Sequence, residues 1–293
     1  MQSGALIIHP GALGDVLQAV PALRALRDAV RGASLCFAGQ PRLGRLLQAL
    51  GVVEEARDFE GLGLEALFTD APIPDALARF AGRFGRVVSW FGSRDATYRA
   101  RLAALAPRAI VAPPVPEDET AVWRHLVATL GCGGVEASAR APLRVAAAGG
   151  GGALIVHPGS GADWKRWPAP RFAEVIRAAR RHHPLPVIVH QGPADRAAVD
   201  ALLDRLDGAV DRLVEPDLPS LAAVLAGARA YLGGDSGVSH LAAAVGAPSV
   251  ILFPPAHVRR WAPWSPTATV IEMTGETDGA GPATREIERL LGG

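Results

Sequence analysis

The amino-acid sequence predicts an α/β protein made of two doubly wound parallel units. Three observations carry this. Short apolar runs alternate with longer segments of helical periodicity, the pattern of parallel α/β architecture. The alternation is interrupted at Val145–Gly152 (VAAAGGGG), small residues without a packing face, and then restarts. The length of 293 residues suits two domains, and 49% apolar residues is enough to give each a core. The expected domains are residues 1–148 and 149–293, with the last helix free to pack back on the first, and with a cleft between them.

In the first half, Ala5–His9 is a strand candidate. Asp15–Val30 repeats apolar residues at helical spacing (Val16, Leu17, Val20, Leu23, Leu26, Val30), with Pro21 placed to kink it. Ser34–Ala38 is a second strand, and Arg42–Leu50 a helix closed by Gly51. Val52–Asp58, Val87–Phe91 and Ala109–Val111 are further strand candidates, and Thr120–Leu130 a helix ending at Gly131. In the second half the expected strands are Leu154–His157, Pro186–His190, Val210–Val214, Ala230–Gly233 and Ser249–Phe253. The expected helices are Arg171–His182, Ala194–Leu206, Ser220–Ala228, Val238–Val245 and Ala283–Leu291. A weak internal echo links the halves: His9-Pro10-Gly11 and His157-Pro158-Gly159 each follow a first strand, where open α/β sheets bind ligands.

Composition narrows the function classes. A formal net charge of +1, from 30 basic and 29 acidic residues, gives no overall field for nucleic acid. Cys36 and Cys132 are far apart, without metal-ligand spacing, and read as two reduced thiols. No basic segment with an apolar h-region opens the chain, and no apolar run reaches the roughly 18 residues of a membrane span. A soluble cytoplasmic protein is the expectation. The eight histidines are scattered, with no His-Glu-x-x-His, no Cys/His cluster and no Asp-x-Asp, so no metal is expected.

Several stretches carry candidate chemistry. Pro10-Gly11-Ala12-Leu13-Gly14-Asp15 joins a strand to a helix; Gly11 and Gly14 let the backbone turn tightly and approach a ligand. Asp15 has two readings of equal weight, a helix cap or a carboxylate that takes a proton from a substrate hydroxyl. The loop is neither a Walker A motif nor a full dinucleotide fingerprint. In His157–Pro168 (HPGSGADWKRWP), Ser160 offers a hydroxyl and Lys165 and Arg166 positive charge for a diphosphate, flanked by Trp164 and Trp167. In Gly233–Ala244 (GGDSGVSHLAAA), Ser236, Gly237 and Val238 present N–H groups at a helix start, an anion site. Asp235 there suits sugar hydroxyls, and His240, one turn on, can donate to a phosphate oxygen; an N-cap serine, a structural aspartate and a core histidine are the plain alternatives. Asp195 lies near a helix start and suits either a cap or a ribose hydroxyl. Arg260–Pro266 (RWAPWSP) is a loop that shapes a cleft or only stiffens the chain.

Together these blocks resemble glycosyltransferase family 9, the lipopolysaccharide core heptosyltransferases. The resemblance rests on ALIIHPGALGDVLQAVPALRALR, HPGSGADWKRWP and GGDSGVSHLAAAVGAPSVILF in that order, and residues 40–145 contribute little to it. It implies a GT-B fold of two Rossmann-like domains, acceptor in the first and nucleotide sugar in the second. It implies inverting transfer of a heptose from an ADP-activated donor to a saccharide or glycolipid acceptor of the lipopolysaccharide core type. It implies that no cofactor, metal or nucleic acid is needed, and a cytoplasmic enzyme that a lipid-linked acceptor would bring to the periphery of the inner membrane. By resemblance Asp15 is the general base, Lys165 contacts donor phosphate, and Asp235, Ser236, Gly237 and His240 hold sugar and diphosphate. Asp195 is the nearest match to a ribose-binding acid that is usually glutamate. Ser236 stands for the usual threonine and His9 for the usual arginine or lysine. Arg94 and Arg99, after a strand, are candidates for an acidic acceptor. Two other classes share these features: a sugar-nucleotide epimerase or hydrolase, whose turnover needs no acceptor, and a non-catalytic binding homologue.

Overall fold

The structure is a computed structural model that describes residues 4–30, 34–131, 140–148, 151–273 and 280–292. The chain divides into two compact units, Met1–Ala139 and Arg140–Gly293. The division lies nine residues before the expected boundary. The stretch ahead of the glycine run is already tied to the second unit. The Leu143 N–H donates to the Ala244 carbonyl at 2.7 Å, the Ala148 N–H to that of Ala223 at 3.1 Å, and the Arg140 side chain to that of Trp264 at 2.7 Å. Small residues without a packing face resemble a linker in sequence even where the backbone has partners.

The first unit is a five-stranded parallel sheet in the order β3-β2-β1-β4-β5. Its strands are β1 (Ala5–Ile8), β2 (Leu35–Gly39), β3 (Glu55–Asp58), β4 (Arg86–Ser89) and β5 (Ile110–Val111). β1 and β2 are buried at every position, as strands covered on both faces must be. Helices α1 (Leu13–Gln18), α2 (Val20–Ala29), α3 (Pro41–Ala49), α4 (Asp75–Ala81), α5 (Ala96–Leu105) and α6 (Val122–Thr129) accompany them. The single helix expected over Asp15–Val30 is two. Pro21, in the first turn of α2, has no N–H to continue the ladder, so the chain breaks at Ala19. Core side chains include Leu6, Ile8, Leu64, Leu77 and Leu102. Cys36 is buried, and burial pushes its thiol up to about 12. Cys132 lies outside the described residues.

The second unit is a six-stranded parallel sheet in the order β11-β10-β9-β6-β7-β8. Its strands are β6 (Leu154–His157), β7 (Val187–Gln191), β8 (Asp211–Val214), β9 (Ala230–Gly234), β10 (Ser249–Phe253) and β11 (Ala268–Glu272). Counted within the unit this is the doubly wound order 3-2-1-4-5-6, with the reversal between β6 and β9. Its helices are α7 (Ala169–His182), α8 (Arg196–Leu203), α9 (Leu218–Ala226), α10 (Gly237–Ala244), α11 (Pro255–Trp261) and α12 (Ala280–Gly292). The closing helix α12 packs on α7 and on β9 to β11 of its own unit. Ala280, Ala283, Ile287 and Leu291 are its buried residues, one stripe at helical spacing.

Four regular elements lie where no regular structure is expected. α4 and α5 carry few large apolar residues, with Leu77 and Ala81 in one and Tyr98 and Leu102 in the other buried one turn apart, and β11 is a half-buried edge strand. α11 occupies the start of the expected Arg260–Pro266 loop, with Pro255 in its first turn, where the missing N–H costs nothing. The remaining strands and helices lie where expected, with ends displaced by at most three residues.

Candidate functional site

Each sheet has one switch point, where neighbouring strands send their connections to opposite sides. In the first unit it lies between β1 and β4, in the second between β6 and β9. The three motifs singled out in the sequence all start at carboxyl ends of these strands.

In the second unit, β9 runs out through Gly233 and Gly234. A Cβ on Gly233 would lie 2.3 Å from the Tyr231 hydroxyl and 2.9 Å from Ser239 Oγ, so glycine is required. The Tyr231 hydroxyl and Ser239 Oγ are 2.8 Å apart, and Ser239 Oγ donates to the Gly234 carbonyl at 2.6 Å. Burial raises the Tyr231 pKa far above the ordinary phenol range, so Tyr231 is a neutral structural group. Ser236 caps α10: its extended backbone turns the chain, and its hydroxyl accepts the Ser239 N–H at 3.2 Å. The N–H groups of Gly237 and Val238 remain at the positive end of the helix, with no carbonyl upstream to accept them. His240 is buried one turn on, its ring edge-on to Phe253 at 6.3 Å.

Asp235 is the centre of this cluster. Its carbonyl accepts the Ser160 hydroxyl at 3.1 Å, tying the β6 loop to the β9 loop. Its buried Oδ2 receives Lys165 Nζ at 3.0 Å and His257 Nδ1 at 2.9 Å. Trp164, 62% exposed, stands over both partners, its ring 4.8 Å from the His257 ring and 5.4 Å from Lys165 Nζ. Lys165 thus pairs with Asp235 across the two loops. A buried carboxylate needs compensating charge, and Lys165 is the cation within reach. His257, on α11, is a partner that sequence reasoning missed. Its one signal is position: it follows the carboxyl end of β10, which the topology sets beside β9. Arg166, the second basic residue of the loop, pairs with Asp163 at 2.8 Å.

Asp195 stands at the N-terminus of α8, yet its side chain makes no cap bond to that helix. Its Oδ2 instead accepts the Gly192 N–H at 3.0 Å, and the carboxylate lies flat on Gly159, where a Cβ would fall 2.1 Å from Oδ1. His157 Nε2 is 3.9 Å from Oδ2, and His157 Nδ1 is 3.0 Å from His190 Nδ1. Burial holds the pKa of His157 near 4 and that of His190, which also faces His157, near 3; both rings are neutral.

In the first unit, Asp15 is the third residue of α1. Its Oδ2 accepts the Ala12 N–H at 3.0 Å, which is the capping role in concrete form, and the side chain is half-exposed. Gly11 is wedged between two side chains: a Cβ there would lie 2.7 Å from His9 Cε1 and 2.9 Å from Asp15 Cβ. Gln40 donates to the carbonyls of Gly11 at 3.1 Å and Pro10 at 3.4 Å and holds the loop, a contact no local pattern announces. His9 is buried; its Nδ1 accepts the Gly11 N–H at 3.4 Å, while Nε2 has no hydrogen-bond partner. Burial lowers its pKa to about 4 against the opposing pull of Asp15. The Trp90 ring, after β4, meets it edge-on at 5.8 Å. Arg94 follows β4 in an exposed turn, and Arg99 is exposed on α5, whose start Asp95 caps at 2.8 Å. Among the described residues neither arginine side chain makes an ion pair, and no group of three or more metal-ligating side chains occurs.

The pattern of this chain matches the family model of glycosyltransferase family 9 (heptosyltransferase) over residues 134–284, just over half its length. The chain belongs to glycosyltransferase family 9. It is a glycosyltransferase of the heptosyltransferase type, as the three motif blocks imply. No curated protein matches it in sequence. Solved structures match it in fold. E. coli ADP-heptose lipopolysaccharide heptosyltransferase II is 20% identical with a TM-score of 0.76, and 98% of each chain is covered. The family 9 glycosyltransferase of Veillonella parvula DSM 2008 is 17% identical with a TM-score of 0.74, over 99% of this chain and 98% of that one. E. coli heptosyltransferase WaaC, solved with ADP, is 17% identical with a TM-score of 0.71, over 98% of this chain and 99% of that one. The family 9 chain thus has the GT-B fold, two Rossmann-like units in succession. Among its described residues no helix is long and apolar enough to cross a membrane.

Proposed function

We propose that this family 9 enzyme transfers a heptose from an ADP-activated donor to a saccharide or glycolipid acceptor of the lipopolysaccharide core type, with inversion and without a metal. The observation that carries this is the Lys165–Asp235–His257 cluster beside the free N–H groups of α10. It sets a cation, a carboxylate and helix N–H donors around one switch point, the groups a sugar diphosphate needs. On this reading the diphosphate takes the α10 N–H groups and draws Lys165 from Asp235. Asp235, still held by His257, then accepts from sugar hydroxyls. His240 donates to the departing phosphate, and the hydroxyl-bearing loop at Ser160 and Ser236 keeps the site in shape. Asp195 takes the ribose hydroxyls.

Asp15 is the base in this scheme. One of its oxygens is oriented by the Ala12 N–H, and the other takes the proton from the acceptor hydroxyl as the new bond forms. Gly11 and Gly14 keep the backbone close to the reacting atoms. Negative charge gathering on the leaving diphosphate is met by fixed dipoles, Lys165 and His240. Displacement from the opposite face inverts the anomeric centre. Arg94 and Arg99 face an acidic or phosphorylated acceptor. A glycolipid acceptor brings the enzyme to the cytoplasmic face of the inner membrane as a peripheral protein.

The test has two arms. Thermal shift with ADP, UDP and GDP and their sugars should show stabilisation by the adenine series alone. Incubation of ADP-heptose with a core-type acceptor and EDTA should release ADP only when acceptor is present, with an inverted anomeric centre in the product by NMR. Turnover of ADP-heptose without acceptor would favour an epimerase or, with release of ADP, a hydrolase, and no shift with any adenine nucleotide would defeat the donor assignment.

A further inference from the structure

The buried pair His157 and His190 lies outside the chemistry above, although it reaches Asp195. Two neutral rings whose Nδ1 atoms are 3.0 Å apart must divide the roles, one N–H donating and one bare nitrogen accepting. Two arrangements compete. In one, His157 Nδ1 carries the proton, shared between His190 Nδ1 and the His190 carbonyl at 3.4 Å, and the bare Nε2 lone pair of His157 faces the Asp195 carboxylate at 3.9 Å. In the other, His190 Nδ1–H donates to His157 Nδ1, and His157 turns an Nε2–H to Asp195. A full negative charge outweighs the dipole of one carbonyl at a similar distance, so the second arrangement is lower in energy. The surroundings allow little else: both rings are buried, and Asp195 is pinned by the Gly192 N–H and by its flat contact with Gly159.

We infer that His157 and His190 are positioning residues, a neutral relay of fixed tautomer that turns one N–H toward Asp195 Oδ2 and so directs Oδ1, over Gly159, to the ligand. Among the described residues Oδ2 has the Gly192 N–H and the facing imidazole, while no hydrogen bond reaches Oδ1. A carboxylate so divided offers one oxygen to a vicinal diol in a single orientation. The relay rests on the donor-binding reading for its ligand, and not for its tautomers. The depressed basicity of both rings agrees with it, because a second proton would set N–H against N–H.

The experiment combines spectra and binding. Long-range proton–nitrogen NMR on the 15N-histidine-labelled full chain at pH 7 should show His157 protonated at Nε2 and His190 at Nδ1. Calorimetry with ADP then compares His157→Gln, whose amide reaches as far as Nε2, with His157→Asn, which reaches only to Nδ1. The relay predicts that the glutamine variant binds ADP within about threefold of the unaltered protein and the asparagine variant about tenfold more weakly. Thermal melts accompany both variants; a purely structural role would weaken both alike. His157 protonated at Nδ1, or equal ADP affinity in the two variants, overturns the relay. If the unaltered protein fails to bind ADP, the donor reading falls, and the tautomer spectrum still decides the relay on its own.

Discussion

The two halves of this glycosyltransferase repeat one device and use it differently. Each opens with a buried strand, then His-Pro-Gly, then a carboxylate near the histidine. His9 and His157 are both buried, with pKa values depressed to about 4. In the first unit the histidine binds its own loop and the neighbouring carboxylate, Asp15, stays half-exposed at a helix start. In the second unit the histidine binds another histidine and the carboxylate, Asp195, is buried against a glycine. A half-exposed carboxylate can gain and lose a proton with a substrate; a buried and pinned one is suited to recognition. On the proposed function, the same loop would serve chemistry in one half and binding in the other.

The largest effect should come from the exposed carboxylate. Asp15→Ala is expected to lower kcat by about 10²–10⁴-fold while ADP affinity changes less than about twofold, as separate calorimetry would show. Near-normal turnover in this variant would remove the functional asymmetry between the halves.

Acid should be next. Unfolded His9 takes up a proton near pH 6.5, while folded His9 does so only near pH 4. Between those values the unfolded chain binds more protons, so stability is full above pH 6.5 and declines as pH falls. By pH 5 the cost at His9 is about 2 kcal/mol. Urea unfolding at pH 7 and pH 5 should show the decline, and His9→Gln should make it shallower by about that amount. A urea midpoint unchanged between the two pH values would contradict a buried neutral His9.

Effects in the second unit follow in size. Lys165→Met removes the cation and should weaken ADP binding by about 10–100-fold at unchanged fold, checked by calorimetry and circular dichroism. His257→Ala should be mildest, about threefold in ADP affinity, because it leaves untouched the Lys165 that moves onto the diphosphate. A larger loss at His257 than at Lys165 would make the α11 histidine the main ligand group and invert their ranking.

The sequence determined, by itself, everything that local periodicity and turn chemistry control. Buried parallel strands read as continuous apolar runs, so β1, β2, β6, β9 and β10 were legible, as were the glycine loops that follow three of them. Family membership was legible for the same reason: Asp15, the Lys165 block and the Asp235 block each lie within a short continuous stretch. The tertiary structure alone decided what depends on residues distant in the chain. The pairing of Lys165 with Asp235, the arrival of His257 from α11, the contact between His157 and His190, and the hold of Gln40 on the Gly11 loop all come from strand order. Strand order is set by the packing of whole units, and no window of sequence contains it. The helix break at Ala19 belongs to both: Pro21 announced a disturbance, and the ladder of hydrogen bonds decided that it would be a break.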